Sequence, residues 1–261
     1  MPMQVRRPDE RRSRSQSASR TLDVLEYFGQ VRRPLRAIEI VNMLSMNPSS
    51  TNQLLKTMVD SAHLLFDART KTYMPSPRLA AFGTWIRDLY GDSDKFDELV
   101  CDIQARTGLF VTVSTQNDLF MQVIETRSPS GRTAQRGVRV AMFDSAVGLA
   151  YLSTLGAAEF DRLVYRGRIT DARLPEITAE VEGIRQAGYA SRPSTDASTW
   201  SIAMPIRHGS AQIPTVLGLS GAPEKVRDEA EEIFAIMRDA AVRHLGEESL
   251  PLGMRGTLRS K

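Results

Sequence analysis

Residues 45–73, SMNPSSTNQLLKTMVDSAHLLFDARTKTY, begin with the signals of a helix start. Asn47 or Ser49 can cap the first free amides, and Pro48 suits an early helical position because it wastes no donor. The apolar positions then recur three and four residues apart, as they do on one buried helix face. They are Leu54, Leu55, Met58 and Val59. This pattern predicts an amphipathic helix.

The opposite face of this helix is polar and has no carboxylate. It carries Ser49, Ser50, Asn52, Gln53 and Lys56. Two short apolar runs after Ser61 predict a β-hairpin, and its tip presents Arg69 and Lys71. Amides and hydroxyls can pair with base edges, while a basic tip can neutralise phosphates. The stretch thus predicts a winged helix-turn-helix that binds double-stranded DNA, although the solvated surface of an α+β domain would have a similar pattern.

The composition indicates a globular protein with two domains. The chain has 261 residues, of which 41% are hydrophobic and 25% charged, enough for two separate cores. No apolar run approaches the roughly 18 residues of a membrane span. The basic N-terminus is not followed by an apolar segment, so we expect a cytoplasmic protein without a secretory signal. A single cysteine, Cys101, cannot form an internal disulfide, which argues against redox chemistry.

Charge is distributed unevenly along the chain. Residues 1–91 contain fourteen Lys or Arg against eight Asp or Glu, whereas the remainder contains twenty against twenty-three. This asymmetry predicts that the first domain meets a polyanion and the second does not. Residues 1–14, predicted to be a disordered basic arm, supply part of the excess.

Two helices are predicted before the quoted stretch and one after it. The first starts at Ser15 or Ser17 and ends at Gly29, and the second spans residues 36–44. Their predicted buried positions are Ala18, Leu22, Leu25 and Phe28, followed by Ile38, Val41 and Leu44. A connecting helix over residues 78–90 has an apolar edge that would suit a dimer but could also fold back on its own domain. This edge consists of Leu79, Phe82, Ile86 and Leu89.

These segments resemble the N-terminal domain of IclR-type bacterial transcriptional regulators. The resemblance covers SASRTLDVLEYF, residues 17–28, and AIEIVNMLSMNPSSTNQLLKTMVDSAHLLFDARTKTYMPSPRLAAFG, residues 37–83. Gln53 stands where such regulators usually carry a basic residue, and Ser45 and Ala62 stand where glycines are expected. We expect phosphate contacts from Arg14, Arg20, Lys56, Arg69 and Lys71. We expect base contacts from Ser49, Ser50, Asn52 and Gln53.

The second half alternates helices and strands, which predicts an α+β sheet domain. It also resembles the family, in GVRVAMFDSAVGLAYLSTL (137–155), IRQAGYASRPS (184–194), SIAMPI (201–206) and VLGLSG (216–221). The resemblance implies a GAF-like domain that binds a small effector. Carried over by position, the pocket is lined by Ala146, Val147, Arg192, Ser201, Gly218 and Ser220. A guanidinium at Arg192 would prefer a carboxylate, so we expect an organic acid, unless Arg192 is an exposed turn residue before Pro193.

The domain prediction is an arm over 1–14, a winged helix-turn-helix over 15–76, a linker helix over 77–91, an effector-binding domain over 92–247 and a tail over 248–261. The predicted function is a transcriptional regulator whose operator affinity is set by the effector, acting as a dimer or a dimer of dimers. The sequence contains no GxxxxGK[ST], CxxC, HExxH or GxSxG motif, so we expect no catalytic residue, metal or cofactor. The alternatives are an enzyme on a GAF-like domain and a protein adaptor whose winged helix has lost DNA affinity.

Overall fold

The computed structural model describes residues 15–90, 93–129, 137–194, 197–208 and 213–251. The chain separates between Arg87 and Asp88 into two compact units, each with its own core. The division falls inside the predicted linker helix. The predicted arm, the loop at 130–136 and most of the predicted tail lie outside the described residues.

The first unit has three helices, a two-stranded hairpin and a fourth helix. They are α1 (Gln16–Val31), α2 (Ala37–Leu44), α3 (Pro48–Asp60), β1 (Leu64–Asp67), β2 (Thr72–Pro75) and α4 (Arg78–Tyr90). Its core consists of Val24, Phe28, Leu35, Ile40, Leu55, Met58 and Leu64. This order is the predicted winged helix-turn-helix followed by the predicted connecting helix.

The buried faces of α1 and α2 differ from the prediction. In α1 the core residues are Val24 and Phe28, four positions apart, whereas Leu22 is 61% exposed. That stripe continues to Val31, so the helix extends past Gly29, its predicted end. In α2 the core residue is Ile40, and Ile38 is exposed. The apolar residues in these short helices exceed what one small core can bury, so their spacing alone did not identify the buried set.

The hairpin is attached to the helices through its second strand. The amide of Leu35 donates to the Tyr73 carbonyl at 3.0 Å, and the Tyr73 amide donates to the Leu35 carbonyl at 2.8 Å. The ring of Tyr73 packs on Phe66 of β1, with centroids 4.8 Å apart. These contacts fix the direction of the wing relative to the helices.

The second unit is built on a six-stranded antiparallel sheet of order β5-β4-β3-β8-β7-β6. Its strands are β3 (Phe110–Asn117), β4 (Phe120–Arg127), β5 (Arg139–Ala141), β6 (Ala190–Pro193), β7 (Trp200–His208) and β8 (Ile213–Gly221). Its helices are α5 (Ser93–Thr107), α6 (Ala146–Leu152), α7 (Ala157–Arg166), α8 (Leu174–Ala187), α9 (Pro223–Asp228) and α10 (Ala230–Leu245). A 3₁₀ turn spans Glu247–Ser249.

Helices cover both faces of this sheet and form two hydrophobic cores. The first core joins α6, α7 and α8 to Met121, Ala190, Ala203 and Val216 of the sheet. The second core joins α5 and α10 to the opposite side chains of the same strands, such as Val113. Strand alternation thus divides the apolar residues between the two faces. The predicted α+β class is confirmed.

Two elements of this unit depart from the prediction. β6 is a strand, where the sequence had indicated a helix end and a turn, so the interpretation of Arg192 as an exposed turn residue is wrong. The apolar spacing from Val226 to Ala241 predicts one last helix from Glu224 to about Leu245, but this helix is interrupted at Glu229 and forms α9 and α10. The β6 run is only four residues long, and such short runs carry little periodic signal.

Candidate functional site

The start of α3 is fixed by its cap. The Oδ1 of Asn47 accepts from the amides of Ser49 at 3.0 Å and Ser50 at 3.4 Å, and Pro48 occupies the first turn. Asn47, rather than Ser49, is therefore the cap. Thr51 is buried and its hydroxyl donates to the Asn47 carbonyl at 2.9 Å. These bonds hold the first turn of α3 and leave the Ser49 and Ser50 hydroxyls exposed.

One face of α3 packs on the core and the other is exposed. Leu55 and Met58 are buried with Thr51. All the predicted base-contacting residues are exposed, together with Lys56. These are Ser49, Ser50, Asn52 and Gln53. The sequence analysis missed Thr57, which is also exposed and whose hydroxyl donates to the Gln53 carbonyl at 2.9 Å.

The predicted phosphate contacts are dispersed over several elements. Arg20 is half-buried on α1, whereas Lys56 on α3 is exposed. Arg69 and Lys71 are exposed at the hairpin tip. Arg14 lies outside the described residues.

The hairpin tip is closed by Asp67, an acidic residue in an otherwise basic loop. Its Oδ1 accepts from the Arg69 amide at 2.9 Å, and its Oδ2 accepts from the Thr70 hydroxyl at 2.8 Å. The Thr70 hydroxyl and the Arg69 amide hold the pKa of Asp67 below its usual value. Lys71 then takes a left-handed backbone, φ 54°. The carboxylate shapes the loop that presents the two basic residues.

Ser45 and Ala62 also take the left-handed backbone, as does Arg32 after α1. Ser45, between α2 and α3, has φ 50°, and Ala62, after α3, has φ 58°. These are the positions where the family resemblance led us to expect glycine. The turns therefore keep their geometry with side chains that disfavour it.

The end of α3 is bonded to the start of α4. Arg78 Nη1 donates to the Ser61 carbonyl at 3.2 Å, and the Ser61 hydroxyl lies 3.0 Å from His63 Nδ1. Sequence reasoning missed this role of Arg78. Farther along α4, Phe82 and Trp85 are 54% and 63% exposed, and Ile86 is exposed as well. The connecting helix thus has an exposed apolar edge that includes Trp85, which the prediction omitted.

The residues of the predicted effector pocket lie on the α6 side of the sheet. Directly opposed residues share a face, and two neighbouring rows cross the strands there. One row is Arg192, Ser201 and Ser220, and the other is Ala190, Ala203, Gly218, Thr112 and Thr126. Ala190 and Ala203 belong to the α6 core, which assigns the face. We call these the polar rows.

The polar rows contain buried donors without a partner. Thr126 Oγ1 and Arg192 Nε have no hydrogen bond to any described residue. The same is true of Ser114 Oγ, one pair of positions farther along the same face, opposite Val216. Buried polar atoms are normally satisfied, so each of these atoms indicates room for a water or a ligand; Ser114 and Thr126 lie on the neighbouring strands β3 and β4, whereas Arg192 lies on the edge strand β6. Ser114 and Thr126 were missed by the sequence analysis, although Thr112 and Ser114 alternate along one strand.

Arg192 is not a free charge. Its Nη1 lies 3.3 Å from Glu180 Oε2 of α8, and its side chain is 29% exposed. The ion pair leaves Nε directed to the protein interior without an acceptor. The contact with Glu180 uses one of the five N–H donors of the guanidinium, so an anion could bind Nε and Nη2 without displacing Glu180.

Helix α6 lies directly on the sheet beside the polar rows. A Cβ on Gly218 would come within 2.7 Å of both Val147 Cγ1 and Thr112 Oγ1, and a Cβ on Gly148 would come within 1.9 Å of the Met142 carbonyl oxygen. Ala146 and Val147 are buried at the first turn of α6. The two glycines thus permit the close approach of this turn to the sheet.

The described residues give no indication of metal or redox chemistry. They contain no group of His, Cys, Asp and Glu able to hold a metal ion, and none of their helices is long and apolar enough to cross a membrane. Burial raises the pKa of the Cys101 thiol, which lies 2.9 Å from Arg127 Nη2. A raised pKa disfavours the reactive thiolate.

Comparison with known proteins agrees with this arrangement. The model of the IclR helix-turn-helix domain matches residues 17–61, and that of the bacterial transcriptional regulator IclR C-terminal domain matches residues 95–244. The HTH-type transcriptional regulator XynR of Escherichia coli is 20% identical over 226 residues, 83% of this chain and 89% of XynR.

Solved structures share the fold. The Thermotoga maritima IclR has a TM-score of 0.54 at 19% identity, covering 88% of this chain and 98% of that one. An IclR transcriptional regulator from Alicyclobacillus acidocaldarius has a TM-score of 0.54 at 18% identity, covering 88% and 97%. The two family matches together span most of the chain, which therefore belongs to the IclR family of transcriptional regulators, with a DNA-binding helix-turn-helix and a C-terminal effector-binding domain, and not to a family of enzymes.

Proposed function

We propose that the exposed face of α3 contacts the major groove of an operator and that the wing tip contacts its backbone. The observation that supports this most is the composition of that face: hydroxyls, amides and one lysine over the first turns, with the one carboxylate, Asp60, at the C-terminal end of the helix. Asn52 and Gln53 can each pair bidentately with an adenine, while Ser49 and Ser50 can accept or donate. Because Gln53 replaces a basic residue, the preferred base at its step differs from that of relatives with a cation there.

Asn52→Ala and Gln53→Ala test base recognition. Each should cost about 1–3 kcal/mol on the cognate operator and relax the preference at one base pair. Fluorescence anisotropy with the operator and a scrambled duplex measures both effects, and Lys56→Ala is the control because loss of a phosphate contact weakens both duplexes equally. Equal losses on both duplexes for Asn52→Ala would assign this residue to positioning only.

Salt dependence separates a DNA-binding protein from the adaptor alternative. If two subunits contact roughly 6–10 phosphates, affinity falls about 10³–10⁵-fold between 50 and 200 mM salt. Arg20, Lys56, Arg69 and Lys71, with Arg14, would supply these contacts. A flat salt response would favour the adaptor.

We infer that the protein acts as a homodimer, or a dimer of dimers, through the apolar edge of α4. Phe82, Trp85 and Ile86 are exposed on this edge within the described part of the chain. Joining two copies there would place two recognition helices about one DNA turn apart, as a palindromic operator requires. Trp85→Glu should shift sedimentation toward the monomer at low micromolar concentration, whereas Tyr165→Glu, at an exposed aromatic of the second unit, should not.

The effector is proposed to be a small organic acid bound over the polar rows. Arg192 Nε is a buried donor that an acid's oxygen would satisfy, whereas Ser114 and Thr126 lie on β3 and β4, three and four strands away in the sheet, too far for the same small ligand. Ser201 and Ser220 would bind the remaining oxygens, and Ala146, Val147 and Gly218 restrict the size of the ligand. An effector that binds one arrangement of the dimer more tightly than another would shift the population of the two arrangements and so change the operator affinity.

A thermal-shift screen of carboxylates and their amides tests the acid. A carboxylate that stabilises the wild type should lose most of that shift in Arg192→Gln, and its amide should give little shift in either form. Glu180→Gln is the matched control: it frees Arg192 from its ion pair and should strengthen the acid's effect. If amides stabilise as well as acids, the effector is neutral.

A further inference from the structure

A cleft lies in the effector-binding unit, on the α6 side of the sheet but at the other end of α6 from the predicted effector-binding residues. Its volume is about 290 Å³, close to the lower limit for small-molecule sites. It is lined by Ser153, Thr154, Ile184, Arg185, Pro205, Ile206, Arg207 and Pro251. None of the predicted effector-binding residues is among them.

The cleft exists because β7 is longer than its neighbour β6. The two strands pair only from Trp200 to Ala203 on the β7 side, whereas β7 continues to His208. Pro205 and Arg207 alternate with Ala203 and therefore face the α6 side. Beyond the end of β6, the last turn of α8 and Pro251 flank this part of β7 in place of a strand.

Two arginines line the cleft, and their roles differ. Arg185 is held in place: Nε donates to the Ser153 carbonyl at 3.1 Å, Nη2 to the Leu155 carbonyl at 2.9 Å, and Nη1 to Glu182 at 3.3 Å. Arg185 thus supplies hydrogen-bond donors to carbonyls that follow the end of α6. Arg207 has no hydrogen bond or ion pair to any residue that the structure describes, and it is half-buried. Among the described residues that line the cleft, its guanidinium is the charged donor that no protein group binds.

The hydroxyls of the cleft offer acceptors. The Ser153 hydroxyl donates to the Ala150 carbonyl at 2.7 Å, and the Thr154 hydroxyl donates to the Tyr151 carbonyl at 2.7 Å. Each hydroxyl has one proton, so only lone pairs remain for a ligand. The remaining walls, Ile184, Pro205 and Pro251, are apolar. The cleft thus combines a fixed positive region, one available guanidinium and an apolar wall.

We propose that this cleft is a second ligand site, which binds a small carboxylate with an apolar body. The carboxylate pairs with Arg207, which has no hydrogen bond or ion pair within the described part of the chain, because a guanidinium can bind a carboxylate through two parallel N–H···O bonds. The body lies against Ile184, Pro205 and Pro251. Occupancy acts on the C-terminal end of α6, whose first turn borders the polar rows. That link to effector binding rests on the proposed function, whereas anion binding in the cleft does not.

Methyl NMR of the full chain with benzoate tests the site. The Ile184 methyls report on the cleft, and the Val147 methyls report on the predicted effector pocket. Benzoate should shift the Ile184 methyl resonances, and Arg207→Gln should weaken the affinity measured there about tenfold to hundredfold, as expected for loss of a charge-assisted pair. Arg207→Lys should retain part of the binding, and Arg192→Gln, in the other pocket, should leave the Ile184 titration unchanged. Unshifted methyl resonances elsewhere in Arg207→Gln show that it is folded.

Three results would overturn the second site. In the first, Arg207→Gln leaves the benzoate titration of the Ile184 methyls unchanged. In the second, the neutral analogue benzamide shifts the Ile184 methyls as much as benzoate does. In the third, benzoate shifts only the Val147 methyls. Inorganic phosphate binding as tightly as benzoate would likewise contradict the proposed ligand class, because phosphate has no apolar body to contact Ile184, Pro205 and Pro251. Loss of the Val147 response in Arg192→Gln bears on the proposed effector pocket alone.

Discussion

Arg78 Nη1 donates to the carbonyl of Ser61 at 3.2 Å, which joins the first turn of the connecting helix α4 to the end of the recognition helix α3. The carbonyls at a helix end carry partial negative charge, so a guanidinium there is favourable. The bond is also a direct connection between the helix proposed to contact DNA and the helix that leads to the effector-binding unit. A displacement of α4 can therefore reach α3 without passing through the core.

Arg78→Ala should lower the stability of the first unit by about 0.5–1.5 kcal/mol, the usual net value of one hydrogen bond. Thermal unfolding followed by circular dichroism measures this. Arg78→Lys, which keeps a donor, should lose less. If Arg78 instead contacts phosphate, the alanine variant would melt like the wild type and the slope of log affinity against log salt would decrease by about one.

Ser45→Gly and Ala62→Gly should each stabilise the protein by about 0.5–1 kcal/mol. A left-handed backbone costs a residue with a side chain roughly 1–2 kcal/mol, and the extra entropy of glycine in the unfolded chain offsets part of the gain. Chemical denaturation provides the measurement. Ser61→Gly, at φ −86° beside Ala62, is the control. It should destabilise, since the Ser61 backbone needs no glycine and the substitution removes the side chain at the helix C-cap.

The recognition helix and wing could be predicted from the sequence because their signals are local. Asn47, Pro48 and the spacing of Leu55 and Met58 lie within four turns of chain and specify one helix. The buried residues of α1 could not be chosen in the same way. Leu22 and Val24 are both apolar, and only the position of the neighbouring helices determines that Val24 is buried.

The effector side shows where sequence reasoning fails for a different reason. Arg192, Ser201 and Ser220 come together because β6, β7 and β8 pair in one register, which depends on contacts distant in sequence. The family resemblance identified these residues by their positions in the sequence, with no information on how the strands pair. It did not name Ser114 or Thr126, whose importance comes from burial without a partner, a property that only the packed structure reveals.

The pKa of Asp67 should lie below the ordinary aspartate value of about 3.9. Because the folded pKa is lowered, the turn contributes stability above the unfolded pKa and loses it as the pH falls through the folded pKa. NMR titration of the carboxyl carbon measures this. Thr70→Val should raise the pKa most, since the Thr70 hydroxyl is the largest cause of the shift, whereas Thr72→Val should change it little. An ordinary aspartate pKa for Asp67 in the wild type would contradict the hydrogen bonds that its carboxylate accepts from Thr70 and Arg69.

Gly218→Ala should destabilise the effector-binding unit by about 1–3 kcal/mol, the usual cost of an extra methyl in a packed site. The new Cβ would lie 2.7 Å from Val147 Cγ1 and from Thr112 Oγ1, neither of which is the end of a flexible chain. Val147→Ala removes one of the two clashes, so the double variant should be more stable than the sum of the two single effects predicts. A double-mutant cycle from denaturant unfolding measures that coupling, and an additive result would mean that α6 can move away from β8.

In the Gly218→Ala variant the acid's thermal shift should also decrease, because the displaced first turn of α6 borders the polar rows. Gly183→Ala, inside α8 where a Cβ meets nothing within 4 Å, is the control: it should raise stability by up to about 1 kcal/mol, as alanine does in a helix interior, and preserve the ligand response.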